Sequence, residues 1–120
     1  MRMTDFSSVP EFDADFSHLS ERFPTLTDDF PKLVDVIKLR KPTHTPGTFR
    51  IPMGASVRDP IYKVKQFRCR GLAGKGNKSG FRIIFAYKEN PGEIVFIQIY
   101  HKDEHANEDR DRIRKYFETS

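Results

Sequence analysis

The sequence has one cysteine, no apolar run long enough to cross a bilayer, and no acidic residue between positions 60 and 88. Each absence removes a class of protein. A lone thiol, Cys69, cannot close an internal disulfide, so the fold must rest on its core, and a reducing, cytoplasmic setting is expected. A bilayer-spanning helix needs about 18 or more consecutive apolar residues, and none is present. The N-terminal stretch MRMTDFSSVPEFDADF carries acids where the apolar core of a signal peptide would lie. We therefore expect a soluble chain with no membrane partner. There is no internal repeat and no low-complexity tail. At 120 residues the chain is expected to be one domain, 1–120, burying roughly 65% of its unfolded surface, with residues 1–8 left open between order and disorder.

The missing acids matter most. Residues 60–88 hold Lys63, Lys65, Arg68, Arg70, Lys75, Lys78, Arg82 and Lys88, a net of +8, whereas residues 1–30 carry seven acids against Arg2 and Arg22, a net of −5. The whole chain is only +4. Such segregation predicts one strongly positive surface, the footprint expected for nucleic acid or another polyanion.

Within that basic segment lies GLAGKGNKSGFRIIF, residues 71–85. A nucleotide-binding P-loop needs lysine directly after its last glycine and a helix directly after that. Here Asn77 separates Gly76 from Lys78, and FRIIFAY follows with the β-branched and aromatic residues of a strand. The stretch is a connection between strands, with Lys75 and Lys78 adding long-range attraction for phosphate.

The remaining chain divides by periodicity. Pro10 holds SSVPEF extended, after which Phe12, Phe16, Leu19 and Phe23 share one face of a helix that Pro24 stops. A second stripe, Phe30, Leu33, Val34 and Ile37, predicts another helix, with Thr27 or Asp28 as its cap and Pro31 in its first turn. Residues 41–60 contain four prolines and two glycines and are read as loop or edge structure. IYKVKQFRCR, GFRIIFAYKE and GEIVFIQIYHK then follow as strands, the last two joined by an NPG turn, and IVFIQIY suits a central strand covered on both faces. NEDRDRIRKYFE closes the chain as a short helix with Ile113 and Phe117 on one side. The expected fold is α+β: an N-terminal helical hairpin packed on a small antiparallel-rich sheet, with a short C-terminal helix.

This arrangement resembles the RelE/ParE superfamily of toxin–antitoxin toxins, closest to its RelE/HigB-like branch. The resemblance covers roughly residues 9–117 and rests on LSERFPTLTDDF, on IYKVKQFRCRGLAGKGNKSGFRIIFAY, and on IVFIQIYHKDEHAN leading into the last helix. It implies a RelE-like toxin domain and an endoribonuclease, an mRNA interferase, that cuts translated mRNA in the ribosomal A site. An antitoxin would hold it inactive. The cut would use the 2′-hydroxyl of the RNA itself, with no metal and no small-molecule cofactor. Carried over by position, the family's strand lysines fall on Lys63 and Lys65, its strand arginine on Arg82, and its closing basic residue on Lys102.

Those residue types suit the chemistry. Attack of a 2′-oxygen on phosphorus builds charge on the phosphoryl oxygens, and fixed cations aimed at that charge are usually the largest catalytic contribution. Arg82 is the candidate for that task because its planar fork holds two oxygens at once. Like charges nearby make a lysine a better base, so Lys65, with Lys102, is the candidate for proton transfer and Lys63 for holding phosphate. Arg68, Arg70, Lys75 and Lys78 would extend the RNA-binding surface.

One element of the family's pattern is missing. Many relatives place a tyrosine early in the last helix for stacking on a base, whereas this chain has Asn107 and Glu108 in ANEDRD. Tyr100, His101 and His105 stand near enough in sequence to take over stacking or proton transfer. HKDEH is not H-E-x-x-H and follows a strand, so no metal is expected, and Cys69 has no base at a recognisable spacing. Two alternatives stay open: a ParE-like toxin that binds DNA gyrase without cutting RNA, and an inactive homologue whose partner is the antitoxin alone.

Overall fold

The computed structural model describes residues 5–39, 45, 47–71, 79–89 and 92–119. Its elements run β1 (Asp5–Ser8), α1 (Pro10–Arg22), α2 (Leu26–Leu39), β2 (Thr48–Ile51), β3 (Ile61–Val64), β4 (Phe81–Lys88), β5 (Glu93–His101) and α3 (Arg110–Phe117). The α+β class is as expected, and the five strands form one sheet in the order β1-β5-β4-β3-β2.

The helices begin and end for local reasons. Pro10 occupies the first turn of α1, where its missing N–H is no loss, and Glu11 and Asp13 sit at the positive end of the helix dipole. Pro24 and Thr25 form the turn into α2, which starts earlier than its expected caps. Thr25, not Thr27 or Asp28, supplies the carbonyl that receives the N–H groups of Asp28 and Asp29, at 3.0 and 2.8 Å. Pro31 consequently lies inside α2 and not in its first turn. It is exposed, so its ring faces solvent.

Two strands settle what the sequence left open. Asp5–Ser8 is an ordered strand lying parallel to β5, with Phe6 beside Ile94 and Ser8 beside Phe96. β2 emerges from the proline-rich stretch as the opposite edge of the sheet, antiparallel to β3. Pro52 follows β2 and Pro60 immediately precedes β3, so neither interrupts the β2–β3 ladder, and both lie at strand ends where a sheet tolerates them. By contrast β3 is only Ile61–Val64, and residues 65–66 and 68–70 of the expected strand are irregular.

Alternation assigns the faces. Phe81, Ile83 and Phe85 point toward α1 and α2, where Phe81 meets Phe23 edge-on at 5.2 Å. Phe96 lies among Phe6, Phe12, Phe30 and Phe85, with ring centroids 4.9–6.1 Å away. Its truncation to alanine is expected to cost about 3–5 kcal/mol, the usual range for a buried aromatic. Arg82, Ile84, Ala86 and Lys88 point the other way. α3 covers the lower part of that second face, with Ile113 and Phe117 buried and Lys88 Nζ over the Phe117 ring at 5.7 Å. β5 is thereby covered on both faces, as its apolar run implied, and Ile94–Tyr100 are all buried.

β1 pairs with only the first half of β5. A register shift at Ile84/Phe85 leaves Ile97 opposite no residue of β4. Its carbonyl receives a hydrogen bond from Arg112 Nη1 (2.9 Å), and the same nitrogen reaches Asp15 at 2.6 Å. One arginine on α3 thus caps the open edge of β5 and ties it to α1. No described helix is long and apolar enough to cross a membrane.

Candidate nucleic-acid interface

The second face of the sheet is only partly hidden by α3, and what remains open is basic. β3 ends, β4 begins and β5 ends at one end of the sheet, which brings Lys65, Arg82 and Lys102 to neighbouring chain positions. Val64 pairs with Ile83, so Lys65 continues the ladder toward Arg82, and Arg82 lies directly opposite Tyr100. The amide of Lys102 donates to the Gly80 carbonyl at 2.9 Å, fastening the end of β5 to the start of β4. Gly71 and Ser79 bracket the lysine-rich loop; Lys75 and Lys78 lie outside the described residues.

Arg82 is half-buried, and its Nη1 donates to the carbonyls of Phe81 (3.3 Å) and Lys65 (3.4 Å). Among the described residues it has no carboxylate partner. Those two carbonyls set the orientation of the guanidinium without cancelling its charge, which leaves the rest of the fork for another anion. Lys65 is exposed, with its ammonium 5.4 Å from the centre of the exposed Phe49 ring. Tyr100 is 97% buried by its 3% relative exposure, yet its hydroxyl has no partner among the described residues. His105 meets the Tyr100 ring edge-on at 6.1 Å.

Other expected site residues are already engaged. Lys63 Nζ is 2.5 Å from Glu108 Oε1, and Arg110 holds the other oxygen of the same carboxylate at 2.9 Å. Burial by itself would raise the Glu108 pKa, but hydrogen bonds from Lys63 and Arg110 outweigh it and hold the group at about 2 instead of its usual 4.5. Glu108 is buried, so the pair is a clamp between β3 and the segment entering α3, not a loose surface contact.

Arg70 faces the opposite way. Its amide and Nε both donate to the buried Asp29 carboxylate at 2.9 Å, and Nη2 reaches Asp28 at 3.2 Å. Burial would raise the Asp29 pKa; hydrogen bonds from the Arg70 amide, Thr25 and the Arg70 side chain bring it below the ordinary value. With Gly71 N–H on Thr25 Oγ1 (2.8 Å), this ties residues 70–71 to the start of α2. Arg68 is exposed and lines a groove of about 570 Å³ against α2, beside Lys32 and Val36, on the helical side of the sheet.

His101 is likewise part of the scaffold. Asp103 N–H donates to its Nδ1 (3.2 Å) and its Nε2 faces the Ser79 carbonyl at 2.9 Å, an arrangement that suits the neutral ring with its proton on Nε2. The ring lies against Gly80, where φ is +91° and a Cβ would come within 2.7 Å of Nε2. Glycine is required there twice over, by backbone and by contact. Cys69 is buried with its sulfur 3.6 Å from Thr25 Oγ1. No three His, Cys, Asp or Glu side chains converge among the described residues.

Sequence reasoning missed the Glu108 clamp, although a signal existed in Gln98. A glutamine inside an apolar strand must find a polar partner, and its Oε1 receives the Asp109 N–H at 2.8 Å, next to Glu108. Compared with family models, with curated proteins and with solved structures, the chain shows no match.

Proposed function

We propose that the open end of the sheet binds the phosphate backbone of RNA and that the protein is an endoribonuclease toxin of the RelE/HigB kind, neutralised by a protein antitoxin. The observation that carries this reading is Arg82: a cation held by two backbone carbonyls, without a counter-ion among the described residues, between Lys65 and Tyr100. A charge kept half-buried at some cost in solvation, and left uncompensated by the fold, suits an anionic ligand.

In the reaction, the RNA 2′-oxygen attacks the adjacent phosphorus, its proton passes to a base, and the P–O5′ bond breaks as the leaving oxygen gains a proton. The products are a 2′,3′-cyclic phosphate and a 5′-hydroxyl. Arg82 is assigned the developing charge on the phosphoryl oxygens, Lys65 and Lys102 the proton transfers, and the exposed His105 the neighbouring nucleotide, while the buried Tyr100 ring supports His105 from within the fold. Translated mRNA on the ribosome is the proposed substrate and the cytoplasm the proposed setting. An acidic antitoxin segment that folds on binding would suit the same positive face.

Lys63 favours a second reading. Its ammonium is committed to Glu108, so the phosphate-holding cation of the resembled family is not free here. A toxin that binds a target such as DNA gyrase, or an inactive antitoxin-binding homologue, needs no such cation. Brief induction in a bacterial host, with new mRNA 5′ ends mapped beside an Arg82→Ala control, decides among these. Ends in phase with codons that vanish in the control support the nuclease. Growth arrest without new ends supports the binding toxin, and no arrest supports the homologue.

A further inference from the structure

The acids of the N-terminal region fall into two groups. Glu11 is held by Lys115 and the Tyr116 hydroxyl, Asp15 by Arg112, and Asp28 and Asp29 by Arg70. Asp5, Asp13 and Glu21 have no ion pair among the described residues; Asp13 only accepts a hydrogen bond from Ser8 Oγ at 2.6 Å. These three unpaired acids surround one feature. Asp13 and Glu21 line a groove of about 670 Å³ between α1, α2 and β1, and Asp5 opens the strand that forms its wall.

The groove floor is aromatic. Phe12, Phe16, Phe30 and Phe96 line it, and Phe16 and Phe30 are only half covered by the fold. The hydroxyl of Ser20, also in the lining, is buried without a partner among the described residues. Lys38 Nζ lies over the ring of Phe6, a lining residue, at 5.7 Å.

β1 is also an end strand. The N–H groups of Asp5 and Val9 donate inward to Gly92 and Phe96, each at 3.0 Å, so strand alternation turns the backbone groups of Phe6 and Ser8 outward. The other end strand, β2, carries Arg50 and is followed by Pro52, both of which discourage pairing. Among the described residues, only the β1 edge joins an open ladder to an apolar groove and uncompensated negative charge.

We infer that this edge is a docking site for a basic protein segment. The segment adds to β1 in extended form, with alternate apolar side chains on Phe16 and Phe30 and its lysines or arginines against Asp13 and Glu21. The site is separate from the basic face and independent of the function proposed for it.

The test uses two labelled peptides, one alternating lysine with leucine and one alternating glutamate with leucine, titrated onto the native protein by fluorescence anisotropy. The lysine peptide is expected to bind at least roughly tenfold more tightly, and Glu21→Lys to weaken it by about as much. Arg82→Ala should leave that binding unchanged. Ser8→Pro removes an outward amide without touching the β1–β5 ladder and should abolish binding. If that variant fails to fold, slowed hydrogen exchange of the Phe6 and Ser8 amides in the peptide-bound native protein is the equivalent reading. Equal affinity for the two peptides, no effect of Glu21→Lys, or unslowed exchange at both amides would each overturn the proposal. So would a native homodimer that Glu21→Lys dissolves, because the occupant would then be a second copy of this chain.

Discussion

Arg70 and Arg82 come from the same acid-free stretch, yet the fold treats them in opposite ways. Arg70 is clamped by Asp28 and Asp29 from α2, while Arg82, among the described residues, meets only carbonyl oxygens. The same division runs through their neighbours: Lys63 is matched by Glu108 and Lys88 by Glu93, at 3.9 Å, whereas Lys65 and Arg68 have no acid among the described residues. A net of +8 along the chain is therefore not +8 at the surface that meets a ligand. Charge segregation in sequence marks a region, and the fold selects which of its cations remain available.

The widest separation of the two arginines is expected in function. Arg82→Ala should reduce RNA cleavage by roughly 10²–10³-fold while changing stability by less than about 1 kcal/mol, checked by cleavage rates beside urea unfolding. A large stability loss with little change in cleavage would reverse its role with that of Arg70.

Asp29→Ala breaks the other side of the comparison. It strands the Arg70 amide and guanidinium beside a buried void, and should cost about 2–4 kcal/mol in urea unfolding. RNA affinity of the folded fraction should stay the same.

Glu108→Gln sharpens the case of Lys63. In the native chain the Glu108 pKa is lowered to about 2 from 4.5, so its contribution is complete above pH 4.5 and is lost as pH falls from there toward 2. The substitution should remove on the order of 2 kcal/mol at neutral pH and flatten the stability profile across that acid window, as measured by urea titrations at several pH values. It should also release Lys63, raising RNA affinity.

The smallest effect is expected from Lys65→Ala. It should lower the slope of log affinity against log salt by about 0.7 for single-stranded RNA, with no measurable change in unfolding. Lys63→Ala, whose charge is already matched, should leave that slope unchanged.

Much of this scaffold was legible beforehand because burial leaves a period. Phe12, Phe16, Leu19 and Phe23 mark one helix face, and FRIIFAY and IVFIQIY mark covered strands, without reference to any other part of the chain. β2 was harder, since its four residues lie among prolines and carry Phe49 and Arg50 outward. Its strand character comes from pairing with β3, and pairing partners are not local. At the site, Arg82 was legible as a charge set in an apolar strand. His101 was not legible as scaffold, because the groups that occupy its ring are backbone atoms of Ser79 and Asp103, which no side-chain pattern reveals.

The sequence by itself determined the fold class, the two N-terminal helices, the covered strands and the location of the basic region, since each depends on side-chain type at short spacing. Only the tertiary structure decided that β1 lies parallel to β5, that Glu108 takes Lys63 and Asp29 takes Arg70, and that Arg82 and the Asp13–Glu21 groove are left without a partner among the described residues. Charge pairing depends on distance in space, and residues 63 and 108 or 29 and 70 meet only after the sheet and helices have packed.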